Sequence, residues 1–558
     1  MSQLFPTGRS TSDGWFELES APFSVEAARQ PEAGVGFFAT EGLVADALEV
    51  VPQGEFRPVA RACEGLGSSV CAVDELCLHR RCVDARGYVP PLPPDEAGRR
   101  ALATYLGNRL QFLFGPLRNR AEYMADAMAS IEDMKSETNR YRYWFDFVTA
   151  VQRLQDSHST ASGLFQFVQS NAGPGRIPLN VCFVNGDADL SHGQVPRDAQ
   201  MPDVLVSHTG EGATWGLQAG DRLVAIDGQH PVSWARGLAG RSWSAQQVND
   251  PASPAQHLEG LRGTIPSLAR AITVIRCPGG VCGAPETLTV AQQAIPDGPF
   301  MRVACDHRPG IHLADVPANH SVDGDVFTGI ALESDETERI HGMVWDSLYG
   351  AGSSTGTAIA QAAASWRSQG ARGVILDHRT GNGGTKDAAM PILDFTTPTR
   401  YSEADVWRTF LDDKGPATLA DGMALFETLK DDPSSLALVG SDTPSLDVPV
   451  ALLLTRDVSA SDYFPNALKG SPNTRIFGPN PTNGAFSTFL QFSYWLGLSY
   501  QLAAQDTVNH DGTMLCGHGV TPDEIVEPRQ SDLVQGIDSV YVAALAWVRA
   551  NLKAPEAP

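Results

Sequence analysis

Two serines stand where an apolar strand gives way to a helix, a position from which a side chain can act as a nucleophile. The apolar run 448–454 predicts a strand and residues 462–468 predict a helix, with Ser459 and Ser461 close to the junction. At a helix N-terminus, the helix dipole and free amide groups favour a negatively charged oxygen. Serine is also a common N-cap, so capping is the alternative role for either residue.

The motif Ser-Ala-Ser-Asp at residues 459–462 precedes a helix, the strand-like IFG and a Thr/Gly loop. This order resembles the C-terminal-processing and tricorn-type serine peptidases, the tail-specific protease-like family. In that family the nucleophile stands three residues before the acid, so the resemblance implies Ser459 as nucleophile and Asp462 as the acid, rather than Ser461. It covers about residues 100 to 550. It implies an α/β, crotonase-like (ClpP/crotonase-type) serine peptidase core.

A serine hydroxyl needs a general base near neutral pH. Family members of the Ser/Lys type carry a lysine in the loop after the strand, and Gly484 stands at that position here. Lys469 would lie about 15 Å from Ser459 along the helix. The branch typified by the chlamydial protease-like activity factor instead uses a histidine in an Asp-x-His context, and LQDSHSTA supplies His158. The resemblance thus implies a Ser/His pair of Ser459 and His158.

The segment VILDHRTGNGG, residues 374–384, predicts an apolar strand that leads into a glycine-rich loop, and it resembles the family's Asp-x-Arg-x-Asn-x-Gly-Gly segment. Such a loop can present backbone amides to a developing oxyanion. The resemblance implies the amides of Gly383 and Ala460 as the two donors. His378 is a second candidate for the base, and Lys386 a further one. A phosphate-binding loop is disfavoured because no Gly-Lys-Ser/Thr follows.

The carboxylate that orients the base is the least defined part of the site. The family's closing motif Gly-Val-Glu-Pro-Asp occurs here as GVTPDEIVEP, so Thr521 replaces the orienting glutamate. Asp523 or Glu524 could serve from a neighbouring position, or Ser459 and His158 could act as a pair through water. An ordinary Pro-Asp turn leading into a strand is the alternative for this segment.

Four regions are predicted from the way apolar residues recur along the chain. Residues 1–92 hold a small cysteine-rich, disulfide-rich module (63–82) and a Pro-rich linker. Residues 93–176 show helical spacing with one Gly-Pro break. Residues 177–295 carry short β-type runs. Residues 296–558 alternate strand-like and helical segments, which predicts a mostly parallel α/β catalytic core that ends in an amphipathic helix.

The string GLQAGDRLVAIDGQHPVSW, residues 216–234, resembles the most recognisable part of a PDZ domain in bacterial proteases. We expect tight turns at its glycines and burial of Leu223 and Ile226 in a small barrel. PDZ domains bind peptides by adding a strand to a sheet edge. The resemblance therefore implies a PDZ-like domain that binds substrate near Gly216 and Leu217, and a spacer with a blocked groove is the alternative.

The charge balance disfavours several partners. The 558 residues carry a formal net charge of -24, and no Lys/Arg-rich run offsets it. Such a chain repels phosphate backbones and anionic lipid, and no apolar run approaches the length of a membrane span. We expect a protein or peptide substrate, no nucleic acid partner, no transmembrane segment and neither cofactor nor metal. The oligomeric state is not predicted.

Cysteine spacing bears on the compartment. Four cysteines fall within residues 63–82, and Cys277 and Cys282 flank a Pro-Gly-Gly turn. Such clusters predict disulfides of an exported protein, and zinc is less favoured because the paired CxxC spacing is missing. We expect a secreted, periplasmic or cell-surface protein in its mature form, without a signal peptide.

Together these features predict a serine endopeptidase in which His158 takes the proton from Ser459 and the alkoxide attacks a peptide carbonyl. Two alternatives stay open. Gly484 and Thr521 are compatible with a catalytically degenerate homologue that acts as a PDZ-type peptide-binding protein. The same core could also serve a hydrolase or transferase of small molecules, although a PDZ-like insert disfavours this, since peptides need such a groove and small metabolites do not.

Overall fold

The structure, a computed structural model, describes residues 91–162, 179–238, 271–290, 329–345, 354–407, 419–455 and 459–552, with short gaps inside these ranges, and a few strands and single positions elsewhere. Five short strands precede the first helix: β1 (Gly8–Ser10), β2 (Phe16–Leu18), β3 (Pro58–Ala62), β4 (Glu75–Leu78) and β5 (Arg81–Asp84). β1 pairs with β2, and β3, β5 and β4 form a second antiparallel sheet. The side chains of the cysteine-rich module lie outside the described residues, so its disulfides stay a prediction.

Three consecutive helices form a bundle in the region with helical spacing: α1 (Glu96–Leu113), α2 (Ala121–Ser136) and α3 (Arg140–Gln152), followed by the short strand β6 (Thr160–Ser162). The side chains of Asp95 and Asn139 accept hydrogen bonds from amides in the first turns of α1 and α3, so both helices begin at a capping residue. The bundle buries Trp144 and Phe147 together with Tyr500 from the end of the chain. None of the helices in the described part of the chain is both long and apolar enough to cross a membrane.

A five-stranded antiparallel sheet occupies the β-rich region. Its elements are β7 (Val181–Gly186), β8 (Asp203–Thr209), β9 (Arg222–Ile226), α4 (Pro231–Leu238), β10 (Ala271–Ile275) and β11 (Glu286–Thr289). The strand order is β11-β10-β9-β8-β7. Leu223 and Ile226 are buried in its core, and Asp227 and Gly228 form the turn after β9 with positive φ angles of 50° and 79°. A disulfide joins Cys277 to Cys282 across a 3-10 turn.

The rest of the chain forms an α/β core around a seven-stranded sheet of order β12-β13-β14-β15-β18-β19-β23. In chain order the elements are β12 (His320–Ser321), β13 (Gly329–Asp335), β14 (Ile340–Trp345), α5 (Ser354–Ser368), β15 (Gly373–Asp377), α6 (Met390–Thr396), β16 (Arg400–Trp407), α7 (Leu419–Leu429), β17 (Leu436–Val439), β18 (Val450–Leu453), α8 (Ala460–Leu468), β19 (Thr474–Gly478), β20 (Phe489–Ser493), β21 (Ser499–Ala503), β22 (Gln505–Asn509), β23 (Glu524–Ile525), α9 (Gln530–Val534) and α10 (Ser539–Ala550). The strands from β14 to β23 are parallel, and β12 and β13 extend the sheet antiparallel at one edge.

Helices cover both faces of the parallel strands. In β15, Leu376 belongs to an apolar cluster with Trp366 of α5 and Phe464 of α8, whereas Ile375 belongs to the opposite cluster with Val548 of α10. β15 and β18 are buried along their whole length, as is typical of a parallel sheet with both faces covered. In open α/β sheets, ligand sites form outside the carboxyl ends of such strands, which is where β18 leads to Ser459.

Two small sheets bring distant segments to this edge of the core. β17, β16 and β22 form one, and β20, β21 and β6 form the other. In the second sheet Thr160 pairs with Gln501 and Tyr500 pairs with Ala161. The residues just before β6, at the end of the helical bundle, therefore lie beside the segment that joins β21 to β22.

The β-rich sheet is docked on the core through its edge strand β7. The Asp187 amide donates to the Pro528 carbonyl (2.9 Å), and the Gln530 amide donates to the Asp187 carbonyl (2.8 Å). The side-chain amides of Asn185 and Asn480 exchange two hydrogen bonds of 3.0 and 2.8 Å. These contacts hold β7 beside the loop that follows β19.

Replacing Gly186 by alanine is expected to lower the free energy of unfolding by about 1–3 kcal/mol, because overpacking a close contact forces the backbone apart. A Cβ at Gly186 would lie 2.2 Å from the Pro528 carbonyl oxygen. Gly193→Ala is the matched control, since nothing lies within 4 Å of a Cβ at that position. Denaturant unfolding of both variants measures the difference. Equal stabilities would contradict the close approach of β7 to the core.

Candidate active site

Ser459 lies in a strained turn between β18 and α8. Its φ and ψ angles are 63° and -129°, a conformation that residues other than glycine rarely adopt. It occupies the N-cap position of α8, whose residues are all described. Its side chain nevertheless makes no capping hydrogen bond to this helix. Strain of this kind is characteristic of functional sites and of strand-to-helix turns that expose a nucleophile. The geometry favours a free hydroxyl over the capping role.

Ser461 has a different role. Its side chain is fully buried, and its hydroxyl oxygen accepts a hydrogen bond of 2.9 Å from the Gly383 amide. The hydroxyl therefore holds the glycine-rich loop against α8 and is not presented to a substrate. Gly383 stays a predicted oxyanion donor, and in this conformation its amide donates to the Ser461 hydroxyl oxygen. The Ala460 amide lies in the first turn of α8, where a helix supplies no carbonyl partner.

Asp462 anchors the loop that follows β19, which we call the 480–487 loop. Its two carboxylate oxygens accept hydrogen bonds from the amides of Gly484 (3.1 Å) and Ala485 (2.8 Å). Burial raises the pKa of Asp462 to about 7, although the hydrogen bonds from Thr482 and these two amides lower it. The acid of the motif thus acts as a structural link between α8 and the loop.

Gly484 explains why a lysine is missing from this loop. Its φ is +76°, and a Cβ would lie 2.7 Å from the Gly519 amide nitrogen and 2.9 Å from that of His518. No side chain fits there without moving the backbone. The position at which Ser/Lys members carry their base therefore cannot supply one in this chain.

Asp462→Asn is expected to lower the free energy of unfolding by about 1–3 kcal/mol, because asparagine offers one acceptor oxygen where the carboxylate offers two and a buried amide loses its partner. The measurement is thermal or denaturant unfolding at pH 8, above the pKa of about 7, where the parent carboxyl is ionised. Asp126→Asn, at an exposed position of α2, is the control. If both variants unfold like the parent, Asp462 does not hold the loop.

His158 lies in the loop between α3 and β6 and is almost fully buried, 6 % exposed. Its amide donates to Asp156 Oδ1 (2.8 Å), and its ring packs against Phe489 with the ring centres 5.4 Å apart. Burial lowers the pKa of His158 below its ordinary value of 6.5, while the negative charge of Asp156 raises it. The imidazole is therefore neutral at pH 7, the form that can accept a proton.

Two side chains tie the His158 loop to the 480–487 loop. Ser157 Oγ and the Asn483 side-chain amide exchange hydrogen bonds of 3.2 and 2.9 Å across 326 residues of sequence. Because Asp462 holds the same loop to α8, a short chain of contacts connects His158 with the turn that carries Ser459. Neither Ser157 nor Asn483 belongs to a predicted catalytic pair, and the only sequence signal of each is that it adjoins a family motif.

Asp523 and Glu524, expected to orient the base, make other contacts. Asp523 binds the Lys469 ammonium group and accepts a hydrogen bond from the Ile476 amide (2.9 Å), and Glu524 pairs with Arg475 (3.2 Å). Lys469 caps the end of α8 opposite Ser459, about 14 Å along the helix. This is a correction, because both carboxylates are neutralised at the far end of α8. Thr521 is exposed there too, and its carbonyl accepts from Lys469 (2.7 Å).

The alternative bases and the expected peptide contacts lie elsewhere. Lys386 pairs with Asp405 (3.0 Å), and His378 is buried against Phe464 with the ring centres 5.9 Å apart. The Leu217 side chain is 2 % exposed within the core of the β-rich sheet, so a peptide contact there would have to use the Leu217 backbone and stays a prediction. The Gly216 carbonyl accepts a hydrogen bond from Arg276 (3.0 Å).

Comparisons with known proteins give one family match and several similar structures. Residues 343–526 match the model of Peptidase family S41. Mature CPAF complexed with lactacystin is similar in structure, with a TM-score of 0.53 and 13 % identity over 81 % of this chain and 98 % of that chain. Mature CPAF gives a TM-score of 0.52 and 13 % identity, covering 81 % and 96 % of the two chains. The photosystem II D1 C-terminal processing protease gives a TM-score of 0.38 and 14 % identity, covering 79 % and 98 %.

No curated protein has a significant match to the sequence. The family match confirms the resemblance to C-terminal-processing, tail-specific protease-like peptidases, and the shared fold confirms the similarity to CPAF. The core has an α/β fold, and residues 343–526 within it match the model of this peptidase family.

Proposed function

We propose that this chain, whose core matches the S41 serine peptidases, is an endopeptidase that uses Ser459 as nucleophile and His158 as general base. One observation carries the proposal most strongly: Ser459 stands in a strained turn at the start of α8 without capping it. The hydrogen bonds from Ser157 through Asn483 support His158 as the base, because they bring its loop to the loop that Asp462 fixes on α8.

In the proposed reaction His158 accepts the proton of the Ser459 hydroxyl, and the resulting alkoxide attacks the carbonyl carbon of a peptide bond. The Ala460 amide, at the positive end of α8, stabilises the oxyanion. Gly383 supplies a second donor when its amide exchanges Ser461 for the oxyanion. His158 then gives its proton to the leaving amine, and a water molecule hydrolyses the acyl-enzyme with His158 again acting as base.

The substrate class follows from the β-rich sheet and from charge. A β-sheet can bind extended peptides by strand addition, and this sheet is attached through β7 beside the 480–487 loop, which Asp462 holds to α8. We propose protein or peptide substrates held by this PDZ-like domain. The Cys277–Cys282 disulfide supports a compartment outside the cytosol, as in secreted and periplasmic proteins.

A fluorophosphonate probe tests the proposed function directly, because it reacts with an activated serine and with few ordinary hydroxyls. We expect the purified chain to be labelled, with the adduct located at Ser459 by peptide mass mapping, and to cleave an unfolded protein such as casein. Absence of both labelling and cleavage, in protein shown to be folded, would refute the peptidase assignment.

A catalytically degenerate homologue that only binds peptides is the second candidate. The engagement of the Gly383 amide by Ser461 favours it, because that bond leaves the oxyanion with one donor fewer. The same probe separates the two functions. A chain that binds peptides but is never labelled at Ser459, with or without peptide present, fits the second candidate alone.

A further inference from the structure

Three buried polar atoms around His158 lack hydrogen-bond partners. They are His158 Nδ1, Asp156 Oδ2 and Asp506 Oδ2, and none of them bonds to any residue within the described ranges. Each belongs to a side chain that is at most 6 % exposed. Buried polar atoms in folded proteins nearly always have a partner. Asp156 connects the three, because its charge acts both on His158 and on Asp506.

The local fold places these groups together. Asp156 Oδ1 accepts hydrogen bonds from the His158 amide (2.8 Å) and the Ser159 hydroxyl (3.2 Å), so the carboxylate folds back over its own loop. The Ser159 hydroxyl in turn accepts the Ala503 amide (3.0 Å), which fixes the loop beside the start of β22, where Asp506 lies. The 2.8 Å contact thus holds the Asp156 carboxylate at the backbone of His158, two residues along the chain from its own.

The charges around the imidazole favour this contact. Asp156 on the loop is the charge that acts on the imidazole. Asp506 on β22 and Cys516 after it lie near Asp156, and burial of Cys516 raises its pKa, so the thiol stays neutral. Burial raises the pKa of Asp506 to about 7, and the negative charge of Asp156 is a further cause. Two adjacent buried carboxyl groups avoid being ionised together. The raised pKa of Asp506 thus favours a protonated Asp506 carboxyl group beside Asp156.

We propose that Asp156 is the positioning carboxylate of His158 and that Asp506 supports it from β22. The inference rests on the proposed function, in which His158 is the base. Asp156 fixes the imidazole through Nδ1, so that Nε2 faces Ser459, and it stabilises the imidazolium that forms when the proton is taken up. It thereby fills the role left open by Thr521, because Asp523 and Glu524 are bound to basic residues elsewhere.

Asp156→Asn tests the charge while keeping the local turn, because the asparagine oxygen can still accept from the His158 amide and Ser159. We expect kcat/KM for peptide hydrolysis to fall by about 10²-fold or more. We also expect the acidic limb of its pH profile to move to lower pH, since the carboxylate that raises the His158 pKa is gone. In the S459A background, NMR titration of the His158 ring should show the same downward shift without relying on activity.

Three further variants complete the design. Asp156→Glu keeps the charge and should retain more activity than D156N, whereas Asp126→Asn on the surface of α2 should match the parent. Asp156→Ser, whose hydroxyl can form the same turn, replaces D156N if the asparagine variant does not fold. If the parent cleaves peptides and D156N shows the same rate and the same His158 titration, this inference is wrong and the proposed function stands. A parent that neither cleaves nor reacts at Ser459 overturns the proposed function instead.

Discussion

Ser459→Ala is expected to lower kcat/KM for peptide hydrolysis by about 10⁴-fold or more, with little change in KM, because a covalent intermediate can no longer form. The side chain of Ser459 makes no capping bond to α8, so its loss should leave the helix and the overall stability intact. Initial rates with a fluorogenic peptide and a thermal melt of the same preparation measure both effects.

Ser461→Ala is the matched control for this prediction. Ser461 is the other serine of the motif, and its hydroxyl holds the Gly383 amide at 2.9 Å. Its removal should loosen the glycine-rich loop and change activity far less than S459A does. Should S461A be the inactive variant and S459A the active one, the nucleophile would be Ser461 and the assignment of the turn would be wrong.

The sequence predicted the positions of the core elements because their signals are local. The run 448–454 is apolar and short, and it forms β18, buried on both faces. The motif at residues 459–462 sits at the start of α8 because a strained turn and a helix start are encoded by adjacent residues. The same holds for Leu223 and Ile226, whose place in the PDZ-like string 216–234 predicted burial and which are buried in the β-rich sheet.

The parts of the site that the sequence did not predict depend on contacts between distant residues. Ser157 forms a hydrogen bond with Asn483, 326 positions away in the sequence, and no local sequence pattern predicts such a pair. Asp523 was a reasonable candidate by its place in the closing motif, but Lys469 neutralises it at the far end of α8. For Gly383, the glycine-rich pattern indicated an exposed amide, and only the fold shows that the Ser461 hydroxyl has taken it.

The same physical cause explains which site residues were predicted and which were not. A motif fixes which residue types can do chemistry, whereas the position of their partners depends on which loops the fold brings together. Here α8, the 480–487 loop and the loop before β6 meet through the carboxylate of Asp462 and the Ser157–Asn483 pair. Substitutions in these linking residues should therefore alter activity by moving the loops that they hold together.

His158→Gln is expected to lower kcat by about 10²- to 10⁴-fold, the usual contribution of a general base. Unfolding measurements should show that the variant is still folded. Glutamine has a similar size and can still pack beside Phe489, but it cannot accept the proton. Because burial lowers the pKa of His158 below 6.5, kcat/KM of the parent should stay high at pH 6.5 and fall only at lower pH as the imidazole becomes charged.

That acidic limb should disappear in H158Q, whose residual activity then depends on hydroxide or on water. His378→Gln is the control, because His378 was the other candidate base and lies buried against Phe464. We expect H378Q to unfold at a lower temperature than the parent. The folded H378Q protein should keep the acidic limb of the pH profile. If H158Q retained the parental pH profile while H378Q lost it, the base would be His378, since the group whose protonation stops the reaction must be the one that takes the proton from Ser459.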